Sequence, residues 1–167
     1  LGVAWAILQP VAMMLAFTVV FSLLIKIDTG PLPYPIFAFS GLIFWTFFSN
    51  SLTRAIPSLE VNAPLIRKIY FPREFFPMSA VLGALFDFFI SATVFVGLMI
   101  YYRQSVHLNA NVLYVIPILA VQMVFTFGLC FFASAVNVYY RDVKHALPFL
   151  VQVWMYLSPV AYSASLV

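Results

Sequence analysis

Charge is what this 167-residue sequence has least of: Asp, Glu, Lys and Arg make up 8% of it, while 65% is hydrophobic. A soluble domain carries roughly 25% charged and 45–50% apolar residues. No soluble globule of this length has the interior to hide such an excess, so lipid must cover much of the surface. The net charge of +3 is spread over a few loops and forms no basic stripe, which removes nucleic acid as a partner. Cysteine is nearly absent. The single Cys130 excludes an intrachain disulfide and a cysteine zinc cluster, and within its apolar run it reads as a small packing residue. A nucleotide-binding loop is missing too. G-x-x-x-x-G-K-[ST] needs Ser or Thr after its lysine, and Lys26, Lys68 and Lys144 are followed by Ile27, Ile69 and His145. His107 and His145 begin neither H-E-x-x-H nor H-x-x-x-x-D, so no catalytic or metal-ligating residue is expected and the chain does not read as an enzyme. It opens on apolar residues with no basic stretch ahead of them, so a signal peptide is not expected. Because it also ends in or beside an apolar segment, it reads as a fragment truncated at both ends.

What is present is a series of long uncharged runs. Crossing ~30 Å of hydrocarbon at ~1.5 Å per residue takes about 20 apolar residues. Five segments answer that description, at about 2–25, 34–53, 77–102, 112–138 and 147–164. The expected fold is therefore an all-α polytopic membrane protein, with residues 1–167 forming a single transmembrane domain. Ser158-Pro159 is expected to distort or end the last helix.

Loop charge sets the expected orientation. Residues 54–76 hold Arg54, Arg67, Lys68 and Arg73, and residues 139–146 hold Arg141 and Lys144. The intervening loops have one cation each, Lys26 and Arg103. The two richer loops belong in the cytoplasm, which places the N-terminal side inside. No internal repeat is visible, so inverted-repeat transporter folds gain no support.

Residues 54–76 are too polar to span a membrane and too apolar for a disordered linker. A short amphipathic helix at the membrane surface fits them. Leu65 and Ile69, like Ile66 and Tyr70, fall at i, i+4 spacing, while Arg67 and Lys68 share another face. Such a helix can seat an apolar ridge in a partner's groove or lie on anionic headgroups, and the pattern alone leaves both open. Asp87 is the one acid deep inside an expected span. Charge there costs at least ~2.5–3.5 kcal/mol, so it should face protein or water, lining a conduit or making a structural hydrogen bond. Aromatics reach 19%. Those near span ends, Tyr101, Tyr102, Tyr139 and Tyr140 among them, read first as interfacial belts, and second as faces for sliding sugar rings.

Four motifs carry a family resemblance. Leu1-Gly-Val-Ala-Trp-Ala-Ile-Leu-Gln-Pro10 resembles the start of the first span in permeases of polysaccharide ABC exporters, the type-2 exporter group that moves O-antigen, capsule and teichoic-acid chains. Leu65-Ile-Arg-Lys-Ile-Tyr-Phe-Pro-Arg-Glu-Phe-Phe-Pro77 resembles that family's coupling segment. Val136-Asn-Val-Tyr-Tyr-Arg-Asp-Val-Lys-His145 resembles its second cytoplasmic loop, and Leu157-Ser-Pro-Val-Ala-Tyr162 the following span. The resemblance covers essentially the whole chain. It implies five of six transmembrane helices, a permease homodimer in the bacterial inner membrane, and a separate cytoplasmic ATPase that binds the ATP and magnesium. It also implies a lipid-linked polysaccharide as substrate. Residues 65–74 would be the coupling helix, with Leu65, Ile66, Ile69, Tyr70 and Phe71 supplying contact and Arg67, Lys68, Arg73 and Glu74 fixing register. Arg141 and Asp142 would offer a second contact, their alternative being a turn with a local ion pair. The same architecture serves exporters of drugs and small lipids, and a membrane-embedded enzyme of envelope assembly is the remaining alternative.

Overall fold

The computed structural model describes residues 2–19, 33–68, 70–102 and 113–158, and every regular element among them is a helix. Chain order runs α1 (Gly2–Phe17), α2 (Tyr34–Ala55), α3 (Ser58–Val61), α4 (Ala63–Lys68), α5 (Phe75–Tyr101), α6 (Val115–Tyr139) and α7 (Val143–Leu157). Among the described residues, three helical stretches are long and apolar enough to cross a membrane: one that begins with α2, then α5 and α6. The chain is thus an all-α, multi-pass membrane protein. Lipid selects this outcome, because a helix satisfies its backbone hydrogen bonds within its own segment. The rest of the first expected span from residue 20, the end of the fifth from residue 159, Ile69, and the loop cations Lys26 and Arg103 lie outside the described residues.

Three prolines mark helix starts, whereas Pro148 lies inside α7. Pro35, Pro77 and Pro117 all fall in first turns, where the missing N–H would have no helical partner anyway. Two helices start earlier than hydropathy suggests. α5 begins at Phe75 rather than 77, and α7 at Val143 rather than 147. Hydropathy marks where lipid begins, whereas hydrogen bonds mark where the helix begins. The Glu74 carbonyl already accepts from Met78 N–H at 3.2 Å, and the Asp142 carbonyl from His145 and Ala146 N–H at 3.0 Å each.

Contacts divide the chain into two compact units. The first takes Leu1–Thr46, Phe86–Ala110 and Trp154–Val167. Ala38, Phe39, Leu42 and Ile43 are buried in it, and ring pairs pack around them: Phe39 stacks on Phe95 at 5.9 Å between ring centroids, Phe44 meets Phe88 at 5.4 Å, and Trp45 meets Trp154 edge-on at 6.3 Å. Such pairs add about 0.5–1.5 kcal/mol beyond area burial. Asp87 lies in this unit, half-buried on α5, where its backbone carbonyl accepts the Ser91 hydroxyl at 3.0 Å.

The second unit takes Phe47–Leu85 and Asn111–Val153. Here Phe47, Leu52, Ile56 and Val81 are buried, and Phe48 stacks on Phe125 at 5.9 Å. The buried face of α6 is built from Thr126, Cys130, Ala133, Ser134 and Asn137, small or polar side chains that let helix backbones approach closely. Most other α6 side chains are exposed, Val121, Val124 and Phe132 among them, which suits a lipid-facing surface.

Buried hydroxyls mostly fold back on their own helix. Ser51 donates to the Phe47 carbonyl at 2.7 Å and Ser134 to the Phe131 carbonyl at 3.0 Å. Thr126 differs: its Oγ1 is the one buried side-chain polar atom among the described residues with no hydrogen-bond partner. An unpaired buried hydroxyl costs roughly 1–3 kcal/mol. Thr126→Val, of nearly the same shape, is therefore expected to leave the thermal midpoint of the purified full-length protein unchanged or raise it by a few degrees. A clear drop would mean that the hydroxyl makes a bond this arrangement lacks.

Candidate coupling surface

Beyond the apolar run of α2 the helix is interrupted twice within a few residues. Pro57 ends the first segment, and the Ser58 hydroxyl donates to the Ala55 carbonyl at 2.6 Å. One turn of helix, α3, carries Glu60. Asn62 then closes α3 and opens α4: its Nδ2 donates to the Ser58 carbonyl at 2.8 Å, while its own carbonyl accepts from Leu65 and Ile66 N–H at 3.0 and 3.1 Å. Neither short helix has a buried residue. Isolated helices of four and six residues do not persist in water, because nucleation costs more than so few bonds return. Something outside α3 and α4 must hold them.

That holder is a polar junction within the second unit. The Glu60 carboxylate lies 3.0 Å (Oε1) and 3.2 Å (Oε2) from Lys144 Nζ on α7, and Oε2 accepts from Asn137 Nδ2 on α6 at 3.3 Å. Asn137 is 1% exposed, and its Oδ1 in turn accepts the Lys144 backbone N–H at 3.1 Å. One buried amide thus touches α3, the end of α6 and the start of α7. The Lys144 ammonium, hydrogen-bonded to Glu60, holds the carboxyl below the usual carboxylate range; desolvation opposes this, while Asn137 and Arg141 add to it. A lowered folded-state value means the link contributes fully above the ordinary Glu range and is lost as pH falls through the lowered value. The difference in thermal midpoint between the parent protein and Glu60→Gln is accordingly expected to stay constant from about pH 8 to 6 and to begin shrinking only below the ordinary Glu range, at about pH 4. A difference that changed near pH 6.5 would point to a histidine instead.

The residues expected to form a coupling helix are distributed along this segment. Leu65, Ile66, Arg67 and Lys68 form α4, Ile66 half-buried and the other three exposed. Tyr70 and Phe71 follow in non-helical chain, Tyr70 fully exposed at 103% and Phe71 at 41%. Phe71 packs its ring against Phe75 and Phe76, at 5.6 and 5.4 Å. Arg73 and Glu74 sit exposed in the turn that opens α5. A single helix bracketed by Pro64 and Pro72 is therefore shorter than the spacing predicts. Pro64 lies inside its first turn, and α4 ends at Lys68 with two cations beside the negative helix end. Arg141 and Asp142 occupy the exposed turn between α6 and α7, Asp142 serving as the carbonyl that starts α7. Arg54, at the end of α2, carries its guanidinium across α5, with Nη1 3.8 Å from where a Cβ on Gly83 would lie.

The sequence reading counted Lys144 only as a loop charge and singled out neither Glu60 nor Asn137. The one available signal was an amide near the charged end of an otherwise apolar span. Nothing local says that its partner lies 77 positions earlier.

No protein-family model matches the chain. Individual relatives do. It is 28% identical over 167 residues to the O-antigen export system permease protein RfbA of Klebsiella pneumoniae, covering 99% of this chain and 63% of that protein. A protein of the same name from Myxococcus xanthus is 30% identical over 165 residues, covering 99% of this chain and 62% of its own length. The polysialic acid transport protein KpsM of Escherichia coli is 23% identical over 165 residues, covering 97% and 62%. These findings bear out the resemblance to polysaccharide-exporter permeases read from the motifs. The chain spans a little over three-fifths of the length of the curated relatives it matches.

Proposed function

We propose that the chain is the membrane-spanning part of a permease that moves lipid-linked polysaccharide (O-antigen, capsule or teichoic acid) outward across the bacterial inner membrane. The observation that carries this reading is similarity along nearly the whole chain to relatives named as O-antigen export and polysialic acid transport proteins. The permease works as a dimer, its N-terminal side is cytoplasmic, as the loop charges indicate, and two copies of a separate ATPase supply the energy. With no phosphate-binding loop of its own, the chain takes its driving force through contact. Residues 65–74, beyond the end of α2, present exposed Leu65, Tyr70 and Phe71 with flanking cations, which is the chemistry of a segment seated in a partner's groove.

The test is a deletion of the full-length gene combined with purification of its product alongside the ATPase encoded nearby. The expected result is a stable permease–ATPase complex, with loss of surface polysaccharide and intracellular accumulation of its lipid-linked precursor. Intact surface polysaccharide together with increased drug sensitivity would favour the drug-exporter alternative and overturn this reading.

A further inference from the structure

We infer that Glu60, Asn137 and Lys144 form a clasp that makes the α3–α4 segment and the α6–α7 turn a single mechanical piece. The three are positioning residues for coupling, and the inference rests on the permease reading above. A partner that moves membrane helices by pushing on α4 needs an element that does not yield under load. By themselves α3 and α4 are too short to be such an element, at four and six residues with no buried side chain. Their local hydrogen bonds, through Ser58 and Asn62, tie them only to each other and to the end of α2. Glu60 supplies the connection that sequence neighbours cannot. Its two oxygens meet Lys144 Nζ at 3.0 and 3.2 Å, and Asn137 Nδ2 meets Oε2 at 3.3 Å.

The connection is also directional. Asn137 is buried near the end of α6 and holds the Lys144 backbone N–H at 3.1 Å, so the α6–α7 turn closes onto the same amide that grips α3. Displacing α4 therefore pulls on α6 and α7 together with α2. Arg141 and Asp142 sit in the turn so held, and the two exposed cytoplasmic segments cannot move independently while the clasp is closed. A carboxylate, an ammonium and an amide suit this role because they can be re-formed after each cycle, unlike a covalent tie.

The full-length permease produced with its ATPase carries the test. Glu60→Gln and Lys144→Met, made singly, are expected to keep the ATPase bound at the parental level, because neither residue belongs to the exposed contact segment 65–74. Each is expected to lower the polysaccharide exported per ATP hydrolysed by about tenfold. The exchange Glu60→Lys with Lys144→Glu restores the ion pair in reverse, though not the Asn137 Nδ2 bond to it, and should recover part of that ratio, which a loss of folding would not allow. Hydrogen exchange of the permease alone gives a readout independent of transport: residues 58–68 and 141–147 should both exchange faster in Glu60→Gln. Unchanged exchange in either segment, or a parental export-to-ATP ratio in both single variants, overturns the clasp. Failure of the parent protein to bind any ATPase would instead overturn the permease reading, leaving the exchange measurement to decide the clasp.

Discussion

Replacing Leu65 and Tyr70 together by Asp is expected, on the function proposed above, to release the partner ATPase, with affinity falling on the order of 100-fold or more. Both side chains face outward, Leu65 45% exposed and Tyr70 fully so, and they contribute little to packing within the chain. Exposed apolar side chains of this size gain about 1.5–3 kcal/mol each when a partner covers them. Two carboxylates in their place would also have to be desolvated without a countercharge. Val61→Asp provides the control: it is 70% exposed on α3, equally apolar, and outside the segment assigned to contact. Co-purification and a direct binding measurement on the detergent-solubilised full-length protein separate the outcomes. A complex that survives the double change would remove residues 65–74 from the interface and leave them as a headgroup anchor.

The second large effect is on stability. Asn137→Leu is expected to destabilise the protein by about 1–3 kcal/mol, visible as a fall of several degrees in the thermal midpoint. Leucine fills similar space but leaves the Lys144 N–H without its acceptor and Glu60 without one donor. Glu60→Gln should cost clearly less. Glu60 and Lys144 are each about one-third exposed, at 33% and 32%, and ion pairs reached by water contribute little to stability. The order of the two effects is the informative result. If the Glu60 variant proved the less stable, the junction would depend on charge rather than on the buried amide.

The two variants also separate stability from transmission. Asn137 holds the junction in place, whereas the Glu60–Lys144 pair joins two segments that tertiary structure alone brings together. If the clasp transmits load as proposed, a substitution that removes the ion pair and spares the buried amide is expected to leave the fold intact while uncoupling export from ATP hydrolysis.

Some of this was determined by the sequence alone. With 8% charge and 65% hydrophobic residues, the chain could be nothing but a membrane protein, since each uncharged run must satisfy its backbone as a helix. The run rich in Phe around Trp45, the one containing Asp87 and the one containing Cys130 became α2, α5 and α6 with ends within a few residues of the hydropathy limits. The segment rich in Arg, Lys and Pro was likewise legible as the place where the long helices give way to short ones and turns, because proline and charge both act locally. Tertiary structure decided the rest. Where α4 ends within residues 65–74, and that non-helical chain and a turn follow it, are details that i, i+4 spacing cannot resolve. The meeting of Glu60 with Asn137 and Lys144 was beyond reach, because each is an ordinary loop or span-end residue until folding brings α3 against α6. Composition and periodicity report what a segment requires of its surroundings; a contact between positions 77 and 84 apart exists only once the helices have chosen their neighbours.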